Sequence, residues 1–219
     1  MKSTILYFII SFLGIGNSSF AQGDNMYPSG SSVTIPDILQ LPDFPFQNGE
    51  VTYQSVHEFD ADQKTLYGIA LRYVSDYYKS AKSVIDVADP DNGLVIVKGI
   101  FSITSDVYYR FFGNQKSANT YLTYHTLKIE CKDNKIRATI DNLRAELQAN
   151  PSLGIVTTEI PIKQLISLYN QYEEIKKPKK RETIAQVNRS FLLDELDLNA
   201  YNFLNGLEPY FAKQLTDDW

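Results

Sequence analysis

The stretch YHTLKIECKDNKIRATIDNLRAEL, Tyr124 to Leu147, reads as an antiparallel hairpin. Leu127, Ile129 and Cys131 alternate with Lys128, Glu130 and Lys132. After a polar turn at 132–135, Ile136, Ala138, Ile140 and Asn142 continue the alternation. Successive side chains of a strand point to opposite faces, so the pattern predicts one buried face and one charged face. The charged face would carry Lys128, Glu130, Lys132, Arg137, Thr139 and Asp141. Its mixed signs suit cross-strand ion pairing and specify no catalytic carboxylate pair.

Upstream, SVIDVADPDNGLVIVKGIFSI reads as a strand over 83–88, a turn over 89–93 and a second strand over 94–103. Asp86, Asp89 and Asp91 suggest calcium, but DPDNG lacks the later glutamate of a dedicated loop. Turn chemistry accounts for it, with Pro90 fixing one φ and Asn92 and Gly93 tolerating positive φ. Before it, Leu66, Ile69, Ala70, Tyr73, Val74 and Tyr77 recur at steps of three and one, the buried stripe of a helix. Asp60, three residues before Gln63, is the expected cap. VTYQSVHEFD, from Val51, is expected to be an early strand.

Between these elements lies SDVYYRFFGNQKSANTYLTY, unusually aromatic, read as cover for a sheet face joined through a polar loop at 113–120. Rigid rings give contact area at modest entropic cost, so Tyr108, Tyr109, Arg110, Phe111, Phe112, Tyr121 and Tyr124 form the candidate binding surface. Residues 22–48 are proline-rich yet carry Ile35, Ile38, Leu39, Leu41, Phe44 and Phe46, and are expected to start flexibly and then drape over the domain. Downstream, 160–216 is a helical region: one helix at 162–175, a basic break at KKPKKR, then two helices or an interrupted one over 182–215, with Gly206 and Pro209 near the break.

The first residues, MKSTILYFIISFLGIGNSSFAQ, have a basic start at Lys2, an apolar run and small residues at Ser19 and Ala21. This pattern predicts a signal peptide over 1–21 and export to the periplasm or beyond, with envelope association among its destinations, and no transmembrane span in the mature form. Loss of Lys2 would move the formal charge from −5 to −6. A net negative chain whose one dense basic cluster sits beside Glu173 and Glu174 is a poor partner for nucleic acid. The single cysteine, Cys131, excludes an internal disulfide, so an exported chain of this kind must rely on its core. One cysteine and two histidines, His57 and His125, give no zinc pattern, and no cofactor is expected.

The order of the early strand, the helix around TLYGIALRYVSDYY, the GLVIVKG strand and the Tyr124–Leu147 hairpin resembles the Bacteroidota domain of unknown function family 4468 (TBP-like fold). The resemblance spans about residues 49–147 and leaves the C-terminal helices outside. It implies an α+β domain, a curved antiparallel sheet with a packed helix, and brings no catalytic motif. It does not imply transcription: DNA binding on such a sheet needs basic contacts and wedge aromatics.

No GxSxG elbow, HExxH helix or paired-carboxylate motif occurs, so a non-enzymatic binding or scaffold protein of the cell envelope is the expected function, its partner an envelope protein, a peptide or a glycan. The alternatives are a structural module that dimerises through the C-terminal helices, and a hydrolase built on His57 or His125 brought together by folding.

Overall fold

The computed structural model describes residues 33–78, 81–110, 113–149, 156–173, 175 and 178–216. The residues of the expected signal peptide, and Phe111 and Phe112, lie outside them. The chain runs β1 (Phe46–Gln47), β2 (Glu50–Val51), β3 (Tyr53–Glu58), α1 (Gln63–Tyr78), α2 (Ala81–Val84), β4 (Ile85–Asp89), β5 (Leu94–Arg110), β6 (Asn114–Lys132), β7 (Lys135–Ala149), β8 (Val156–Pro161), α3 (Ile162–Glu173), α4 (Lys180–Asn205) and α5 (Leu207–Thr216).

Six strands form one antiparallel sheet in the order β3-β7-β6-β5-β4, with β8 also paired to β7. The hairpin expected at its centre is β6–β7, with Cys131 opposite Ile136, Ile129 opposite Ala138 and Leu127 opposite Ile140. All six are fully buried. The expected α+β class, a sheet packed against a helix and followed by a helical region, is the fold observed.

The described helices pack on the inner face, and α4 also covers Tyr108 of the outer row at the far end of β5. From α1, Leu66, Ala70 and Val74 are fully buried, and from the C-terminal helices Leu193, Leu196, Phe203 and Phe211 enter the same core. At about 1.5–3 kcal/mol for each large apolar side chain removed from water, these four are a substantial share of the core's stabilisation. The segment 33–45 has no regular structure and lies along the helices, as expected of its apolar residues, with Phe44 buried and Ile38 and Leu41 partly so.

Several local expectations are corrected. The cap of α1 is Asp62, whose Oδ1 accepts from the Thr65 amide at 2.7 Å, not Asp60. The strand expected from Ser83 begins at Ile85, preceded by the short α2. Strand β5 does not stop at Ile103, because Ser105 and Val107 keep its inward alternation, and the expected polar loop at 113–120 is its partner strand. Outward pairs there are polar, such as Thr104 with Thr120 (3.1 Å) and Lys116 with Asp106 (2.7 Å), so the stretch lacks an apolar signature. Asn142 is not inward. It has φ 52°, sits in a bulge opposite the step from Tyr124 to Thr126, and hands the inward position to Leu143. On its two sides β7 pairs with different strands, β3 up to Ile140 and β8 from Arg144. The third helix ends at Glu173, short of 175. The long C-terminal region divides at Gly206, because Pro209 has no N–H to donate back to Asn205 and its ring would clash with that carbonyl.

Turn 89–93 follows its chemistry. Both Asp89 oxygens accept from Asn92, and Gly93 has φ 62°. A Cβ on Gly93 would lie 2.3 Å from the Cys131 carbonyl oxygen, so the β6 backbone approaches too closely for any other residue.

Candidate functional site

The sheet face turned away from the core carries no described helix except at the far end of β5 and presents an open surface. Cross-strand register aligns Leu94, Glu130, Arg137 and Val56 in one row. The next rows are Ile96, Lys128, Thr139 and Gln54, then Ile100, Tyr124 and Arg144, then Ser102, Leu122 and Glu146. Ile100 is 45% exposed, and Leu122 and Tyr124 beside it are half-buried, so a small apolar island occupies the middle. Tyr124 is fixed there by its hydroxyl, which donates to Glu146 Oε2 at 2.7 Å and is held above its ordinary pKa chiefly by that carboxylate.

Around the island the cations are already partnered. Lys98 pairs with Asp86 (3.0 Å), Lys128 and Arg137 both with Glu130 (3.0 and 2.7 Å), and Arg144 with Glu159 (2.6 Å). The two cations hold the Glu130 carboxyl below its usual range against a burial effect that raises it. A phosphate chain laid on this face would have to displace a carboxylate at each contact, so the face offers no ready polyanion track.

The residues expected to form a binding surface divide. Tyr124 stands on the open face and Arg110 is exposed, with Tyr109 half-buried. Tyr108 and Tyr121 are 7% and 3% exposed and present little ring to a ligand. Tyr121 belongs to the inner row of β6, and burial raises its phenol. Tyr108 is held at the far end of β5 by Asn188 of α4, whose side-chain amide accepts from the Tyr108 N–H and donates to its carbonyl, both at 2.9 Å. A side chain thus replaces a neighbouring strand and closes the sheet edge.

The two histidines are not brought together. His57 is opposite Ile136, which is opposite Cys131, and His125 lies six residues from Cys131 along β6, about 20 Å at strand rise. His57 Nδ1 faces the exposed Glu208 at 3.5 Å, while its Nε2 and the Ser55 Oγ two residues away are buried and unbonded. That resembles the base and orienter of a hydrolase, but Ser55 and the ring do not hydrogen-bond, and neither atom is open to a substrate.

His125 is 3% exposed, stacked on Phe101 at 4.0 Å, with Tyr78 Oη 2.7 Å from Nε2. Burial pushes the imidazole down to about 4, with the Thr123 backbone opposing. A neutral ring with an unprotonated Nε2 accepts from the Tyr78 hydroxyl, whose own ionisation burial suppresses. Gly99 makes the contact fit, since a Cβ there would lie 2.5 Å from Nε2 and 2.6 Å from Tyr78 Oη. Cys131 is likewise a core residue, fully buried with its thiol pushed up to about 12. Among the described residues, no group of three His, Cys, Asp or Glu could hold a metal, and no helix is long and apolar enough to cross a membrane.

Sequence reasoning did not find Ile100, Leu122 or Asn188. The first two look like ordinary strand residues, and their exposure depends on which face the helices leave open. Asn188 gives no signal at all in a helix it shares with other buried polar residues.

Residues 53–146 match a family described as a domain of unknown function (DUF4468) with TBP-like fold. Among solved structures, a DUF4468 family protein from Bacteroides ovatus is 14% identical with a TM-score of 0.48, over 75% of this chain and 92% of that one. A TBP-like protein from Parabacteroides distasonis is 13% identical with a TM-score of 0.44, over 74% and 96%. No curated protein matches the sequence. The sheet and first long helix, within residues 53–146, are thus the part of this chain that is similar to the DUF4468 family, domains of unknown function with a TBP-like fold.

Proposed function

We propose that this is an exported, non-enzymatic binding or scaffold protein of the bacterial cell envelope that recognises another envelope protein, a peptide or a glycan through the open sheet face. The observation that carries the reading is the island of Ile100, Leu122 and Tyr124, displayed on a rigid sheet and ringed by neutralised charges. Its apolar centre and polar rim are the arrangement of a contact patch, and a Tyr with an anchored hydroxyl loses little freedom on binding. Arg110, on the same face of β5 as Ile100, extends the surface toward the far end of that strand. The signal-like residues 1–21 support the destination.

Proximity labelling in the native envelope, with the full chain and with an Ile100→Asp/Tyr124→Ala variant, tests the proposal. A set of labelled neighbours lost in the variant, with the melting curve unchanged, supports it. Identical labelling by both overturns the assignment to this face.

A further inference from the structure

A second, smaller hydrophobic cluster lies apart from the main core. Tyr108, Ile184 and Val187 form its buried floor, Phe191 flanks it, and Val33, Ile35 and Ile38 of the N-terminal segment fill it. The segment makes no strand or helix over 33–45. Leu39 N–H donates to Ser190 Oγ (3.2 Å), its carbonyl accepts from Tyr169 Oη (2.8 Å), and Val33 N–H donates to the Asn114 carbonyl (3.1 Å). This is how a groove binds an extended peptide: side chains two or three residues apart enter an apolar floor while a few polar groups fix the backbone.

The occupant is tethered through Pro42, Asp43, Phe44 and Pro45, and Phe44 is anchored in the main core. A segment seated mainly by side chains and joined through a short proline-bearing hinge is the kind of element that copies exchange, because the swapped and closed forms share every contact except the hinge. We propose that residues 33–41 are an exchangeable strap, seated in the groove of α4 and β5 of their own chain when protein is dilute and in the same groove of a second copy when it is concentrated. The second copy is the partner whose chemistry fits because it carries the identical occupant. In the closed form the tether supplies a millimolar effective concentration, which sets where exchange begins.

The test uses the full mature chain with engineered thiols, and Cys131 does not compete because it is fully buried. Leu39→Cys/Ser190→Cys should close to an intrachain disulfide in a glutathione redox buffer, the two thiols being oxidised as glutathione disulfide is reduced. Chains carrying only Leu39→Cys or only Ser190→Cys are then mixed. A mixed disulfide dimer, seen by mass, is expected at about 1 mM and nearly absent at about 10 µM. Adding Ile38→Asp to the Leu39→Cys chain should lower its yield about tenfold. Absence of the mixed dimer at the higher concentration overturns the proposal, as does failure of the double variant to close, which means that the strap is not held at Ser190. Equal yield with Ile38→Asp also overturns it, since the crosslink then reports collision.

Discussion

Acid should weaken this fold through His125, and the size of the effect follows from its surroundings. The groups that face the ring are Phe101 and Gly99 of β5, Tyr78 of α1 and the Thr123 backbone of β6, none of them anionic. The folded state therefore keeps the imidazole neutral down to about pH 4, whereas the unfolded chain takes up its proton near 6.5. Between those values the unfolded state binds more protons, so unfolding free energy falls as pH falls; the loss begins at about 6.5 and is complete near 4. At about 1.36 kcal/mol per pH unit, the full effect is about 3 kcal/mol, and about 2 kcal/mol has been lost by pH 5. Urea titrations at pH 7.5 and 5.0 of the wild type and His125→Gln measure it. The glutamine carbonyl can still accept from Tyr78 but does not titrate. Asp141 and Asp197, both raised by burial, favour the folded state as pH falls through the acid range, and they do so equally in both proteins. The wild type should lose about 2 kcal/mol more than the variant between the two pH values. Equal losses would refute the burial argument for His125.

Gly99→Ala should cost roughly 1–3 kcal/mol in urea unfolding, because the added methyl must displace His125 and Tyr78 together; a cost under about 0.5 kcal/mol would mean that the β5–β6 contact has slack. Asn188→Leu should cost about 2–3 kcal/mol by leaving the Tyr108 N–H and carbonyl unpaired, and light scattering should show association through the opened edge. A thiol reagent should label Cys131 at pH 8 only as fast as the protein opens, with labelling accelerating in urea in step with unfolding. Rapid labelling of native protein would contradict its complete burial.

Much of the fold was legible because a few segments carry unambiguous periods. Leu127 to Ile140 alternates without exception, and Leu66 to Val74 keeps a helical stripe, so the centre of the sheet and its main helix follow from pattern alone. The far half of the β5–β6 hairpin does not follow. Gln115, Lys116, Ser117 and Asn119 have little β preference and become a strand because the continuing β5 supplies their hydrogen-bond partners, a tertiary cause with no local trace. Helix α4 was legible as a helix but not as one buried nearly all round in its first half, where Gln186, Asn188 and Ser190 look like a solvated face. They are buried because each meets a backbone group, Tyr169, Tyr108 and Leu39 respectively. The candidate surface was legible in part for the same reason: aromatic composition marks Tyr108, Tyr121 and Tyr124 alike, and only strand phase and the path of α4 separate the half-buried ring on the open face from the two that are buried.

The bulge at Asn142 makes this exposed position demanding of identity but not of count. Glycine or aspartate can adopt its positive φ, whereas a β-branched or bulky side chain would be strained there. Deleting the residue would instead remove the bulge and restore regular alternation from Ile140, leaving Leu143 and Ala145 toward the core and Arg144 and Glu146 toward solvent in the stretch that β8 pairs. In an alignment of relatives such a position would look constrained by letter and open to a one-residue gap. A deletion scan across 139–145 should therefore be mildest at Asn142 and damaging at Ile140, Leu143 and Ala145.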